Sequence, residues 1–252
     1  MSGTLILART ELRRLFVQPL AWALLAAVLG VLAYFFLLSL QAFLALMPKL
    51  AGSASAPGVT DLVALPLLRA IASLLLLVVP LLGMRTLAGE RQAGTLPLLL
   101  ASGLGDARIV LGKYLGLLAF LFLLVALALA MPLSLDIGTA LDLGRLCAAA
   151  LGLLLFAAAL AAIALCASSY AQQPAVAATV ALALNLVLWI LDAGARYEGV
   201  TSGFINYLAL PTHLEPFLHG LVATVDIVYF MLIAAVALAL ATRRLGASRR
   251  RG

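Results

Sequence analysis

Met84–Lys113 reads MRTLAGERQAGTLPLLLASGLGDARIVLGK. It separates two long apolar blocks and carries Arg85, Arg91, Arg108 and Lys113. In its middle the run Leu96–Ser102 follows Thr95 and precedes Gly103 and Gly105. The Thr95 hydroxyl is suited to accept from a free amide of a first helical turn. Pro97 is tolerated early in a helix, where its missing amide has no partner to lose. Gly103 and Gly105 end the helix, and Asp106 caps the next one, which runs into the membrane. The run is too short to cross a bilayer. Its leucines must therefore be covered by the chain's own body, by the membrane surface or by a partner's groove. The stretch thus reads as a loop with a short helix between two spans, and the apolar blocks around it as membrane helices.

Composition agrees. The chain has 252 residues, 65% hydrophobic and 10% charged, with a mean hydropathy of +1.20. A soluble domain carries about 25% charged residues, so the expectation is an all-α integral membrane protein. The net charge of +6 does not point to nucleic acid, because the basic residues cluster at the ends of apolar blocks and not on a polar face. Cys147 and Cys166 lie too far apart on one expected helix to bridge each other.

Outward from the central loop, residues 4–18 read as an amphipathic helix. Leu5, Ala8, Leu12, Leu15 and Phe16 recur at helical spacing, with Arg9, Arg13 and Arg14 turned to lipid phosphates. Spans are expected at about 19–47, 66–84, 108–133, 144–168, 175–192 and 226–242, with the loop between the second and third at 85–107. Ala54–Ala56 looks like a signal-peptidase site, but the preceding apolar run is too long for a signal peptide and Pro57 follows at once. Arg69 near the outer end of the second span is expected to snorkel to the headgroups. Gly144, Ala148 and Gly152 suit a close helix approach, and Asn185 a hydrogen bond to a neighbouring helix. The long loop 194–224 contains Phe204 and Ile205, and Leu208–Gly220 reads as short re-entrant helices broken at Glu215-Pro216. With both termini inside, twelve of the sixteen basic residues are cytoplasmic and only Lys49, Arg69, Arg145 and Arg196 are outside, a positive-inside bias. The basic tail favours anionic lipid.

Two stretches resemble a known family. Gly89-Glu90-Arg91-Gln92-Ala93-Gly94-Thr95-Leu96, then Leu98-Leu99-Leu100, then Ile109-Val110-Leu111-Gly112-Lys113, resembles the cytoplasmic loop of ABC-2 type transporter permeases of the gliding-motility-type branch. Leu208–Gly220 and Asp226-Ile227-Val228-Tyr229-Phe230 resemble the family's last outer loop and final helix. Pro97 departs from the acidic residue usual there, and Ser102-Gly103 from Ser-Pro. The resemblance implies an elbow helix at 4–18 and a coupling helix in the loop that docks on an ATPase. It implies Glu90, Arg91, Gly94, Thr95, Leu96, Leu98, Leu99 and Leu100 as the ATPase-coupling residues. Glu90 would pair a basic residue of the ATPase, or else Arg85 or Arg91 of its own loop. It implies His213, Phe217, Gly220, Asp226 and Tyr229 as an outer gate or partner contact.

Other chemistry is absent from the residues. Gly105–Lys113 lacks Walker spacing, and Tyr114 stands where magnesium would need Ser or Thr. No acidic residue falls near the middle of a span, where ion-coupled transporters place them. Helical geometry sets His213 apart from Glu215 and His219, so no metal site is expected. The function expected is the permease subunit of an ATP-driven exporter in a bacterial inner membrane. It would be non-catalytic and cofactor-free, with ATP and magnesium held by two ABC ATPase subunits beneath two permease copies. A periplasmic or membrane accessory protein and membrane lipid are the other expected partners. The alternatives are a mechanotransmission subunit that moves no substrate and a structural subunit with no ATPase.

Overall fold

The computed structural model describes residues 3–50, 58–137, 141–198 and 207–249. The Ala54–Ala56 motif, Phe204, Ile205, Arg250 and Arg251 lie outside them. The described elements are helical. They are α1 (Gly3–Val17), α2 (Pro19–Leu50), a π-helical turn (Thr60–Ala64) leading into α3 (Leu65–Gly83), α4 (Ala88–Gln92) and α5 (Leu96–Ala101). Then follow α6 (Asp106–Leu133), a 3-10 turn (Ser134–Ile137), α7 (Leu143–Tyr170), α8 (Pro174–Glu198), α9 (Leu210–Leu218) and α10 (Thr224–Arg249). Prolines open several of these helices, where a missing amide costs nothing: Pro19 begins α2, Pro174 begins α8 and Pro211 lies in the first turn of α9. Asp142 caps α7, accepting from the Arg145 amide at 3.0 Å.

Six helices are long and apolar enough to cross a membrane. α7 is the axis of the bundle: 67% of its most apolar window is buried, against 17% for α2 and for α8. The latter two, with α10, turn outward rows of large apolar side chains such as Phe35, Leu38, Val187, Ile190, Leu232 and Val236. Such a surface suits lipid, not water. Inside a bilayer helices gain nothing from leaving lipid for each other, so close packing of small residues has to hold them. Gly83 of α3 lies against Ala164 of α7, where an added Cβ would stand 2.7 Å from the alanine's. On α6, a Cβ at Gly112 would meet Leu7 at 2.9 Å, and one at Gly116 would meet the Ala8 carbonyl at 2.9 Å. Those two glycines, one turn apart, let α1 lie directly on α6. The Gly152 position of α7 receives Phe217 of α9, and an added Cβ there would overlap the phenylalanine.

Several local expectations change. α9 runs unbroken through Pro216. Leu210, Leu214, Phe217 and Leu218 are all buried, and that packing outweighs the amide lost at Pro216. Asp106 is the first residue of α6 and not its cap, which is Gly105 in extended conformation. Asn185 is fully buried on α8 with neither amide atom hydrogen-bonded, so the expected bond to a neighbouring helix is not made. Arg69, half exposed, has a protein partner that was not expected. Its guanidinium grips Glu215 of α9 through two bonds of 3.0 and 2.9 Å. On α1 the inward face is Glu11 and Leu15, while Leu5 is exposed.

Candidate functional site

The loop between the second and third spans folds as two short helices, the second of them, α5, set between two left-handed glycines. Gly94 has φ +70° and Gly103 φ +74°, a conformation that a side chain would oppose. They set α5 off from α4 on one side and from α6 on the other. Thr95 stands at the N-cap of α5, but its hydroxyl accepts from no helix amide. It donates back to Glu90, to the carbonyl at 3.3 Å and the carboxylate at 3.2 Å.

Glu90 is the hub of a buried ion network. Its carboxylate accepts from the Lys113 ammonium at 2.9 Å and from the Arg14 guanidinium at 3.0 Å. Lys113 also donates to Glu11 at 3.2 Å. The Lys113 side chain is 1% exposed and that of Glu11 7%. Two carboxylates and two cations from α1, α4 and α6 thus compensate one another where burial would otherwise make any one of them costly. Neither Arg85 nor Arg91 is the partner of Glu90. The Arg14 of α1, expected at lipid phosphates, points inward to it. Neither Glu11 nor Lys113 was given a functional role from sequence, although Lys113 ends the stretch that carries the resemblance. The available signal was an acidic residue on an otherwise basic amphipathic helix, one turn from Leu7 and Leu15.

The rest of α4 is held by the end of α7. Ser168, fully buried, accepts from the amides of Leu87 and Ala88 at 3.1 and 2.9 Å and donates to the Met84 carbonyl at 3.0 Å. One hydroxyl from across the bundle so caps α4. Arg91 donates to the carbonyls of Ala171 (2.6 Å) and Ser169 (3.1 Å). These are orphan carbonyls at a helix C-terminus, where a cation is favoured. α5 is fastened at its far end by Arg249 of α10, which donates to the carbonyls of Leu100 and Leu104 and to the Asp106 carboxylate. That arginine, read from sequence as part of a lipid-attracted tail, is an internal clamp.

Of the four leucines of α5, Leu96 is buried and Leu99 and Leu100 pack against the core. Leu98 is 74% exposed. A groove of about 540 Å³ runs beside it, lined by Leu96, Pro97, Leu100, Ala101, Ser248 and Arg249. α5 therefore presents one leucine and an open groove on a segment braced at both ends.

The opposite end of the bundle holds the second group. His213 is buried and shares 2.6 Å with Asp226 through Nδ1 and 2.9 Å with the Tyr207 carbonyl through Nε2. It stacks on the Tyr229 ring at 3.8 Å, and Tyr229 donates to the Leu208 carbonyl at 2.7 Å. Phe217 fills the notch at Gly152. Gly220 turns the chain at φ +85° over Arg145, which itself bonds Asp61, the Leu218 carbonyl and His219. The structure brings His213, Asp226 and Tyr229 together and leaves Phe217 and Gly220 on the α7 side. All these contacts are internal, and they pin α9 to α7 and α10. Glu215 and His219 meet each other at 3.5 Å, away from His213.

Six apolar helices, α7 central among them, with both loop groups packed at their ends, define a multi-pass, all-helical integral membrane protein. The model of the ABC-2 family transporter proteins matches residues 47–242, and the chain belongs to that family. No curated protein matches the sequence. Family membership makes the chain a membrane permease component of an ABC transporter and implies an ABC ATPase as its partner.

Proposed function

We propose that this chain couples ATP hydrolysis by a separate ABC ATPase to export across a bacterial inner membrane, with α4 and α5 on the cytoplasmic side as the contact for the ATPase. In this reading α5 is the coupling helix and α1 the elbow helix. Two permease copies sit above two ATPase subunits, which hold ATP and magnesium. The observation that carries the reading is the Glu11–Lys113–Glu90–Arg14 network. A push received by α5 reaches α4 through Thr95 and Glu90, and Glu90 ties α4 to both α1 and α6. Salt-bridged, buried partners have few other low-energy arrangements, so the three elements move together. Arg249 adds α10 to the same block. Leu98, exposed at the end of this rigid unit, is the residue best placed to enter a pocket of the ATPase. Glu90, Arg91 and Thr95 serve by holding the segment in shape, and Gly94 by turning it. At the other end the His213–Asp226–Tyr229 cluster, with Phe217 and Gly220, braces α9 as an outer gate that follows the spans.

The test is copurification of the ATPase with wild-type chain and with Leu98→Asp. The variant chain should insert normally and lose the ATPase, because a carboxylate desolvated in an apolar pocket is unfavourable. Equal recovery of the ATPase with both proteins removes α5 as the contact. Reconstituted liposomes then separate export from bare mechanotransmission: ATP-dependent substrate flux supports export, and ATP turnover without flux for any substrate tried overturns it.

A further inference from the structure

A second groove, of about 440 Å³, lies on the lateral face of the bundle between α8 and α10, with α7 as its floor. Its lining exposes no polar surface. The small Ala167 keeps the α7 floor low and the buried Ala237 recesses the α10 wall, while Leu184, Leu188, Leu232 and Leu240 form the rest of the walls. From Leu232 to Leu240 it runs about 12 Å along α10, close to the ~15 Å that one leaflet contributes to the hydrocarbon core. It ends at Tyr170, the last residue of α7.

That end is positively charged. Arg244, one turn beyond Leu240, sits over the Tyr170 ring with its guanidinium carbon 5.4 Å from the centroid. Its Nε is buried without a hydrogen-bond acceptor. Arg91 reaches the same spot from α4 and bonds the carbonyls of Ser169 and Ala171, on either side of Tyr170. No carboxylate among the described residues forms an ion pair with either arginine, whereas Arg14, Arg69, Lys113, Arg145 and Arg249 each have one. Two uncompensated guanidiniums thus flank the headgroup end of a dry, leaflet-deep groove.

We infer that this groove is a binding site for an anionic phospholipid, one acyl chain lying between α8 and α10 and the phosphate resting on Arg244 at Tyr170. The phosphate supplies the negative charge that no carboxylate provides there, bonded through the outer nitrogens of the guanidinium. Basic pockets between membrane helices select anionic headgroups in this way. The chain occupies space that would otherwise leave the small residues of the floor without contacts. Because Arg91 also closes the end of α7 onto α4, the bound lipid stiffens the junction of the contact segment with the bundle.

The experiment uses the full-length protein, purified in detergent and delipidated. It is titrated with phosphatidylglycerol or with phosphatidylcholine of the same acyl composition, and binding is read by native mass spectrometry and by the unfolding midpoint. Phosphatidylglycerol should bind more tightly and raise the midpoint. Arg244→Gln should weaken phosphatidylglycerol about fivefold, the effect of one basic residue on an anionic headgroup, and leave phosphatidylcholine unchanged. Arg244→Lys should recover part of the loss. Ala237→Val, which narrows the groove from the α10 side, should weaken both lipids, and its unfolding midpoint without lipid shows that it is folded. Inorganic phosphate alone should give no stabilisation. Equal binding of the two lipids, an Arg244→Gln protein with unaltered preference, or full stabilisation by inorganic phosphate would each overturn the site. So would efficient crosslinking of Cys166, which lines the groove, between two copies in membranes, since a second copy would then occupy it.

Discussion

Lys113 sits between two carboxylates at the membrane edge, and its charge is needed by both. Removing it in Lys113→Met leaves Glu11 facing Glu90 with only Arg14 between them and solvent. The loss expected is about 3 kcal/mol, the lower end for breaking a buried pair. Unfolding in mixed detergent micelles measures it. The double variant Glu11→Gln with Lys113→Met should be more stable than Lys113→Met alone, because one orphaned charge has gone. A double variant that is no better than the single one means the Glu11–Lys113 contact carries no coupling. The pairing itself was not legible along the chain. Glu11 lies among arginines and Lys113 among apolar residues, separated by 102 positions. A residue's charge is visible in sequence, but the partner that neutralises it is set by how two helices meet.

At the scale of elements, the glycines of α6 decide where α1 lies. In Gly116→Val the Cβ alone would stand 2.9 Å from the Ala8 carbonyl oxygen and 2.8 Å from the Glu11 Cβ, before its two methyl groups are added. α1 should lift from α6 and the ion network should part. The check is maleimide labelling of Ala8→Cys. It should be slow in an otherwise wild-type chain and at least several-fold faster with Gly116→Val; unchanged labelling means α1 is held by something else. α9 is controlled by the same kind of contact. Gly152→Ala should cost about 1–3 kcal/mol by overpacking Phe217, and combining it with Phe217→Leu should recover part of that in the same unfolding assay. Hydropathy reveals that such helices exist, since length and apolarity suffice for a span. It does not reveal α9 passing unbroken through Pro216, because four buried side chains on one face override the local preference.

For the molecule as a whole, the two loop groups lie at opposite ends of α7. Impermeant maleimide added to sealed vesicles should therefore label Leu98→Cys and Ser248→Cys from one side and Leu221→Cys from the other, in a background with Cys147 and Cys166 replaced by serine. Labelling of Leu98→Cys and Leu221→Cys from the same side contradicts the bundle. The exposed apolar rows on α2, α8 and α10 are where lipid or a second permease copy has to lie, since α7 and α3 are already enclosed.

By itself the sequence determined the compartment, the all-helical class, six apolar helices and the short helix between the second and third. All of these depend on local composition: a bilayer selects any stretch apolar and long enough to satisfy its own backbone, whatever the rest of the chain does. Only the tertiary structure decided that Glu90 serves Lys113 and Arg14, that Ser168 caps a helix from across the bundle, that Arg69 holds Glu215 and that Arg249 clamps α5. Apart from Glu90–Lys113, 23 positions apart, those contacts join residues about 80 to 150 positions apart, and the glycines of α3, α6 and α7 let the helices that carry several of them close to within contact distance. Side-chain partnership in a membrane bundle follows from which backbones can touch, and no periodicity along one helix encodes that.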